Sequence, residues 1–559
     1  MASETWHYAP SPMVVVTTII GLARGLGINA IAKDNRWNDM HPNRAADAAI
    51  VADIPKPGRS RVDFPGLSPS KRALSAWRLS WPLVVGLLLF VVLLSVEGLP
   101  LLADPDTHWH IAIGNWILET GWVPTVDSHS YTFLGQPWIA KEWLSQLLLA
   151  LAYDAGGWGA VAVLCAASIG LAFALLLRLL LRDIRPLPAA LFTIAAIVMT
   201  APHLLARPHV LAFPVMLLWV AGLVRAVEQH RAPKPLLLLA MLSWANLHGG
   251  FTLGLMLCGA FALEAVMSAR NTAERTSLFV DWAKFGVAAV LVACITPYGP
   301  ESMLVTFRIF RLGDVLGMIS EWRSPNFQGQ PFQELILLLA LYAGLSRGLK
   351  LPAVRLVITL GLLDLFLKYA RNAELLVMLA PLVMAPILAR QWPTMRPGRG
   401  LLAGRTFLER VAALGRPAGR YATLLCISLA AVFAASMIKF GGIRPPADTT
   451  PTAAFDFIRQ ANLKGPVFNA YEFGGFLIQA GIPTFIDGRA ELFGGDFIKR
   501  YVDAISLRGE EPLEQLLDRY KIEWTFLSKD QPANKLLERL PGWRLAYGDD
   551  VATVFVRLH

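Results

Sequence analysis

Long apolar runs recur along this chain from residue 81 to residue 440, and they restrict its fold more than any other feature. A helix needs about 20 apolar residues to cross a lipid bilayer, and many of these runs approach that length. A content of 55% hydrophobic and only 16% charged residues agrees with a membrane protein. We therefore predict a mainly α fold, a polytopic transmembrane helix bundle of about 11 spans. The predicted spans lie near 81–102, 158–181, 187–202, 208–226, 235–248, 250–268, 283–298, 331–346, 353–370, 373–390 and 421–440.

The positions of Arg and Lys predict how the bundle is oriented. Loops on the cytoplasmic side of a membrane carry an excess of basic residues. The basic loops of this chain are 178–185, 225–234, 270–284, 347–355 and 390–420. The connections between them hold few basic residues. This alternation predicts a multi-pass protein of the bacterial inner membrane, with a cytoplasmic N-terminus and a periplasmic C-terminal segment.

The net charge of +10 comes mostly from these loops. Because the charges are spread over short connections, they indicate anionic membrane lipid as a partner and argue against nucleic acid. All four cysteines lie inside apolar spans and form neither a disulfide pattern nor a metal-binding spacing. We expect them to be small core residues.

Composition divides the chain into three regions. Residues 1–78 scatter Pro, Asp and Arg, and we predict a disordered cytoplasmic segment there. Residues 79–441 are predicted to form the transmembrane catalytic domain, with an outer loop at 103–157. Residues 442–559 change to short β-rich stretches between helical ones, which predicts a small α/β periplasmic domain. Its predicted strands begin at Val467, Thr484, Trp524 and Val551, and its predicted helices lie near 452–461, 495–506 and 511–520.

The outer loop is unusually polar for the mouth of a membrane bundle. It begins Asp104-Pro-Asp106-Thr-His108-Trp-His110 and later reads Gly135-Gln-Pro-Trp-Ile-Ala-Lys141-Glu142. Charged residues are costly beside a bilayer and usually mark a site of function. A carboxylate there can act as a general base on a hydroxyl, and Lys141 can balance a phosphate.

Other roles for these loop residues stay open. Asp104 and Asp106, with His110, offer ligands for a divalent metal, although no cofactor is certain. The plainer alternative is that the Asp-Pro pair only caps a helix and that Lys141 only reaches lipid headgroups.

Two amphipathic helices are predicted within this loop. Trp109, Ile113, Trp116 and Ile117 repeat with the period of a helix that has one apolar face. A second such helix follows at 143–153. Trp at the border of the apolar face suits helices that lie flat on a membrane surface, which would put Asp106 at the start of the first helix.

At these residues the loop resembles the GT-C superfamily of membrane glycosyltransferases, and most closely its bacterial aminoarabinose and protein-mannosyl transferase members. The spacing from Asp106 to Gly121 and the run Gly135-Gln-Pro137-Trp138-Ile-Ala-Lys141 carry the resemblance. It implies that Asp106 is the base and that Lys141 contacts the donor phosphate. It also implies a polyprenyl-phosphate sugar donor and inversion at the sugar.

The loop departs from the family at two points. Thr107 stands where an acidic residue is common, and Glu142-Trp143 replaces two prolines. Oligosaccharyltransferases of the superfamily have an Asp-Pro pair in this loop, so Asp104 remains a second candidate for the base.

Further candidates follow from their position at predicted outer ends of spans. Any of three arginines, Arg207, Arg323 and Arg371, can clamp a phosphate. We expect the acceptor or a cavity to involve His108, His110, Glu142, His248, Asp487 and Arg489. Asp487-Gly488 is also typical of a tight turn, and each arginine is also typical of an interface anchor.

The sequence therefore predicts a glycosyltransferase that moves a sugar from a polyprenyl-phosphate donor to a periplasmic glycolipid, polysaccharide or protein. Two alternatives remain. One is an envelope polysaccharide polymerase or ligase, and the other is a transporter or flippase of a lipid-linked glycan.

Overall fold

The structure is a computed structural model that describes residues 80–95, 100–310, 317, 322–396, 418–447, 449–509 and 511–558. The predicted disordered segment at 1–78 lies outside the described residues. The helical region and the C-terminal region belong to one compact unit.

Apolar helices make up most of the described chain up to residue 440, and each predicted span contains one. Their bounds are α1 Trp81–Ser95, α2 Asp106–Thr120, α3 Trp143–Leu180, α4 Pro186–Thr200, α5 Pro208–Glu228, α6 Leu238–Leu247, α7 Phe251–Met267, α8 Thr272–Ala293, α9 Glu301–Phe310, α10 Pro331–Ser346, α11 Ala353–Lys368, α12 Ala373–Gln391 and α13 Arg420–Phe440. Within the described residues, 6 helices are long and apolar enough to cross a membrane, and four shorter apolar helices accompany them.

The long helix α3 lies at the centre of the bundle and contacts α1, α2, α5 and α13. It is interrupted at Gly156 and Gly157, where the backbone leaves helical geometry. The sequence predicted two elements here, an amphipathic helix at 143–153 and a span from 158. The structure confirms the division, since the two glycines separate them within one continuous element.

An ion-pair network closes the end of the bundle away from the polar loop. Arg355 is almost fully buried, and its guanidinium lies 2.7 Å from carboxylate oxygens of both Glu264 and Glu228. Arg390 also pairs with Glu228. Because each buried charge has a partner, these groups hold α5, α7, α11 and α12 together.

The C-terminal region contains a four-stranded sheet with the order β1-β2-β4-β3. Its strands are β1 Val467–Asn469, β2 Trp524–Ser528, β3 Trp543–Gly548 and β4 Ala552–Arg557. The strands β1 and β2 run parallel, whereas β2, β4 and β3 pair antiparallel. Its helices are α14 Thr452–Gln460, α15 Gly474–Gln479, α16 Ala490–Ile505, α17 Leu513–Arg519 and α18 Pro532–Leu537.

One predicted strand was wrong and one strand was missed. Thr484 forms only an isolated bridge opposite Ser130 of the outer loop instead of joining the sheet. Its N–H donates to the His129 carbonyl, and its own carbonyl accepts from the N–H of Tyr131. The segment that begins at Thr484 therefore links two regions of the protein. The missed strand is β3, an edge strand with no buried side chain, so it lacks a clear apolar alternation.

Backbone and side-chain contacts fasten the outer loop to the C-terminal domain. The Tyr131 hydroxyl donates to the Val467 carbonyl at 2.9 Å, and the Thr132 hydroxyl donates to the Phe485 carbonyl at 2.7 Å. His108 and Gln479 share a further hydrogen bond of 2.5 Å. The domain therefore lies directly against the loop that carries the candidate site.

Candidate functional site

Two carboxylates and one guanidinium meet at the start of α2. The backbone N–H of Asp106 donates to Oδ1 of Asp104 at 2.8 Å, so Asp104 satisfies an amide at the helix N-terminus. Arg207, which immediately precedes α5, lies 2.5 Å from Oδ2 of Asp104 and also bonds to Oδ2 of Asp106. One cation therefore joins both acidic side chains across 101 residues of sequence.

The two carboxylates differ in access. The Asp104 side chain is 2% exposed, whereas that of Asp106 is 17% exposed. Gly488 of the C-terminal domain lies directly above Asp106, since a Cβ there would come within 2.1 Å of Oδ1 of Asp106. Asp104 is therefore the more buried of the two carboxylates, and Asp106 keeps the larger exposed fraction beneath Gly488.

Lys141 reaches across to the C-terminal domain. Its Nζ lies 3.2 Å from Oε1 of Glu491, which is in the first turn of α16. Burial on its own would raise the pKa of Glu491. The Lys141 charge, with hydrogen bonds from the backbone of Glu491 itself and from Trp138, lowers that pKa below its ordinary value.

Glu142 lies between two histidines. Its carboxylate oxygens are 4.0 Å from Nε2 of His110 and 3.4 Å from Nε2 of His248. Burial raises the pKa of Glu142, and the nearby Lys141 opposes this only in part. Burial also holds the pKa values of His110 and His248 well below 6.5, so both rings are neutral near pH 7.

Two more elements contribute polar groups beside this cluster. His209, in the first turn of α5, lies 3.7 Å from the Glu374 carboxylate at the start of α12. Arg371 stacks over the Trp322 ring at 4.7 Å. The charge of Arg371 acts on both Glu142 and His248, so it belongs to the same electrostatic cluster.

Four other candidates have different surroundings. Arg323 is exposed, and its Nε donates to the Gly317 carbonyl. His108 is buried beneath the C-terminal domain, and burial lowers its pKa to about 4. Asp487 and Arg489 are fully buried and paired with each other.

Arg489 also bonds to the buried carboxylate of Asp127 in the outer loop, and it lies over the Trp138 ring at 4.8 Å. Neither Asp487 nor Arg489 is accessible to an acceptor in this arrangement. Their ion pairs join the loop to the C-terminal domain.

The arrangement of these groups does not fit the divalent metal considered from the sequence. Among the described residues, no three His, Cys, Asp or Glu side chains converge as a metal site. Asp104 and Asp106 face the Arg207 guanidinium, and a cation between them would meet that positive charge. His110 faces Glu142 instead. The expected metal site at Asp104, Asp106 and His110 is therefore corrected to an arginine-bridged acid pair.

Three further members of this site, Glu491, His209 and Glu374, are not among the predicted site residues. His209 and Glu374 each lie in the first turn of an apolar helix, and a charged or polar residue at such a position is a sequence signal of function. Glu491 follows Arg489 in a polar stretch, but its pairing with Lys141 spans 350 residues and has no local sequence signal.

No protein-family model matches this chain, and no curated protein matches it. Among solved structures, it is similar to ArnT from Cupriavidus metallidurans bound to undecaprenyl phosphate, with 12% identity and a TM-score of 0.47 over 87% of this chain and 98% of that one. It is also similar to the archaeal oligosaccharyltransferase AglB from Archaeoglobus fulgidus in complex with an inhibitory peptide and a dolichol-phosphate. That match has 12% identity and a TM-score of 0.49 over 82% of this chain and 70% of that one.

Both TM-scores are below 0.5, so these likenesses carry no argument about the function of this chain.

Proposed function

We propose that this chain is an integral-membrane glycosyltransferase that moves a sugar from a polyprenyl-phosphate donor to an acceptor on the periplasmic face of the inner membrane. The observation that carries the proposal is the convergence of Asp104 and Asp106 with Arg207, Lys141 and Arg371 at one end of an apolar bundle. Such a set of groups supplies both a base and a positive phosphate site.

A lipid-linked donor suits this location. Its polyprenyl chain would lie in the membrane among the apolar helices, while its phosphate would need cations at the membrane surface. Lys141 and Arg371 come from the outer loop and from the start of α12, so they can approach a phosphate from two sides. Arg371 has a planar fork that suits two phosphate oxygens, and Lys141 supplies a compact charge.

The proposed reaction is a single displacement. The acceptor hydroxyl oxygen attacks the anomeric carbon on the face opposite the phosphate, and its proton passes to the carboxylate of Asp106. The bond from the anomeric carbon to the phosphate oxygen breaks, and its electron pair stays with the phosphate. Configuration inverts, and the cations stabilise the charge that develops on the leaving group.

Asp106 is assigned as the base and Asp104 as a positioning residue. Asp106 is the more exposed carboxylate, whereas Asp104 is buried and bonded to the amide of Asp106 and to Arg207. Arg207 forms an ion pair with Asp106. A donor phosphate would compete for Arg207 and so leave Asp106 more basic when the acceptor arrives.

Neutral imidazoles next to a carboxyl group suit the recognition of hydroxyls. His110 and His248 can each donate one hydrogen bond and accept another, and Glu142 can accept from a sugar hydroxyl. We assign these three residues to binding of the sugar or the acceptor. Protonated histidines would favour an anionic ligand. Because the pKa values of His110 and His248 are low, both rings are neutral and favour an uncharged group such as a hydroxyl.

The test is transfer of radiolabelled sugar from a total pool of polyprenyl-phosphate sugars to envelope fractions. Permeabilised membranes of a deletion strain are compared with the same membranes carrying the protein. The proposal expects transfer only when the protein is present. Permeabilisation matters because it bypasses any need for a flippase.

Each rival function has its own outcome in this assay. If permeabilised deletion membranes transfer sugar normally, while intact cells accumulate lipid-linked sugar on the inner face, the protein is a flippase and the proposal is wrong. Gel analysis of the labelled product separates addition of single sugars from transfer of long chains, which would indicate a polymerase or ligase.

A further inference from the structure

We propose that Glu491, from the C-terminal domain, is the counter-ion that a donor phosphate must displace from Lys141, and that it thereby weakens phosphate binding. This inference rests on the proposed function and deepens it. It gives the C-terminal domain a residue in the donor site. It also explains why a carboxylate lies in a place where a phosphate is expected.

The geometry allows a phosphate to take the place of Glu491 beside Lys141. Their charged atoms are 3.2 Å apart, and the two side chains are 15% and 13% exposed, so each keeps some contact with solvent. The aliphatic part of Lys141 packs near Gly249, where a Cβ would be 3.9 Å from its Cδ and Cε.

A separate set of fully buried ion pairs docks the domain. Two residues from Glu491, Arg489 pairs with Asp127 and Asp487, and none of these three side chains is exposed. Breaking such a buried pair is strongly unfavourable. The Lys141–Glu491 pair keeps some access to solvent, so we infer that its main effect is to neutralise Lys141.

Electrostatics gives the direction of the effect. A phosphate carries at least as much negative charge as a carboxylate, so it can replace Glu491 at Lys141. The displaced carboxylate then lies close to the phosphate and repels it. Such repulsion lowers affinity for the donor and speeds release of the polyprenyl phosphate product.

A double-mutant cycle tests this exchange. The probe is farnesyl phosphate, a short polyprenyl phosphate, which is titrated against the full chain in detergent. The variants are Glu491→Gln, Lys141→Ala and the two combined. Asp496→Asn is the matched control, because it removes one exposed negative charge from the same helix. We expect Glu491→Gln to bind roughly three- to tenfold more tightly than wild type, and Asp496→Asn to bind like wild type.

The combined variant decides whether the effect acts through Lys141. We expect Lys141→Ala to weaken binding and the added Glu491→Gln change to restore none of it. Unchanged or weaker binding by Glu491→Gln, or the same gain with Lys141 absent, would overturn the inference. Failure of the wild-type protein to bind farnesyl phosphate would also overturn the inference.

Thermal unfolding distinguishes exchange from a structural role. If Glu491 served docking, Glu491→Gln would lower the Tm relative to Asp496→Asn, and this outcome also overturns the inference. The proposed function can fail separately. Tighter probe binding by Glu491→Gln, with no sugar transfer by the wild-type protein, would support the ion exchange and refute the transferase. Sugar transfer by the wild-type protein, with no tighter binding by Glu491→Gln, would support the transferase and refute the ion exchange.

Discussion

Arg207 contacts both acidic side chains at the start of α2, and this contact limits what each can do. With Asp104 it forms a buried pair, so removal of Arg207 would leave that buried carboxylate without this cation. With Asp106 it forms a more exposed pair. In the proposed reaction, a donor phosphate competes for Arg207 at this second contact.

His108 gives a pH-dependent prediction. Burial lowers its pKa from 6.5 to about 4, opposed by the hydrogen bond that the ring donates to the amide oxygen of Gln479. The unfolded chain takes up this proton near pH 6.5, and the folded chain resists it until about pH 4. The stability contribution is present above pH 6.5 and is lost as pH falls through this window. The difference between the pKa values of His108 in the folded and unfolded chains corresponds to about 3 kcal/mol of stability, which is lost across this window.

We expect the Tm of His108→Gln to fall less steeply than that of wild type between pH 7 and pH 4. The measurement is thermal unfolding in detergent across this range. The control is Glu119→Gln, an exposed position at the end of α2. Parallel curves for wild type and His108→Gln would contradict the assignment of His108 as a buried neutral group.

Several residues could be predicted from local sequence, and others could not. The apolar periodicity after Asp106 predicts a helix that starts there. The structure has this helix, and it ends at Gly121, whose left-handed backbone suits glycine. The pairing of Asp127 with Arg489 joins positions 362 residues apart. A single sequence holds no signal for such a contact, so Arg489 was expected to face an acceptor.

At the level of elements, the break in α3 separates its loop-facing part from the membrane-crossing part. Gly157 has φ 59° and ψ −151°, a combination that is essentially restricted to glycine. The residues before the break carry the end of the outer loop. The direction of that segment, and with it the position of Glu142, depends on this backbone conformation.

We therefore expect Gly157→Ala to destabilise the protein by about 1–3 kcal/mol, through backbone strain alone. No heavy atom lies within 4 Å of the added Cβ, so crowding does not contribute. The control is Gly286→Ala in α8, which also has open space but ordinary helical geometry, and it should be neutral or stabilising. Thermal unfolding measures both. Equal Tm values for the two variants would refute the strain argument.

Elements with strong apolar periodicity were predicted well, and those defined by distant partners were not. The predicted spans all contain helices, because a long apolar run determines a helix locally. The Thr484 segment reads as a strand by composition, yet its hydrogen-bond partner is the outer loop. The edge strand β3 has no buried side chain, so only its pairing with β4 defines it.

In the whole molecule, the described polar groups inside the bundle gather at its two ends. One end holds the cluster around Asp106 and Glu142, and the other holds the closed network around Arg355. Several residues predicted to lie on the outer side, among them Asp106, Lys141, Glu142 and His248, lie at the first end. In the proposed function, a lipid phosphate and a periplasmic acceptor meet at this end.

The most direct test of the central claim is the rate of sugar transfer by Asp106→Asn at matched expression. We expect a loss of roughly 10²–10⁴-fold, because the amide cannot take the acceptor proton. Asp154→Asn, which removes an exposed carboxylate near the same loop, should transfer at the wild-type rate. Asp104→Asn should lose transfer together with Tm, as expected for a buried positioning group. Full transfer by Asp106→Asn would contradict the account.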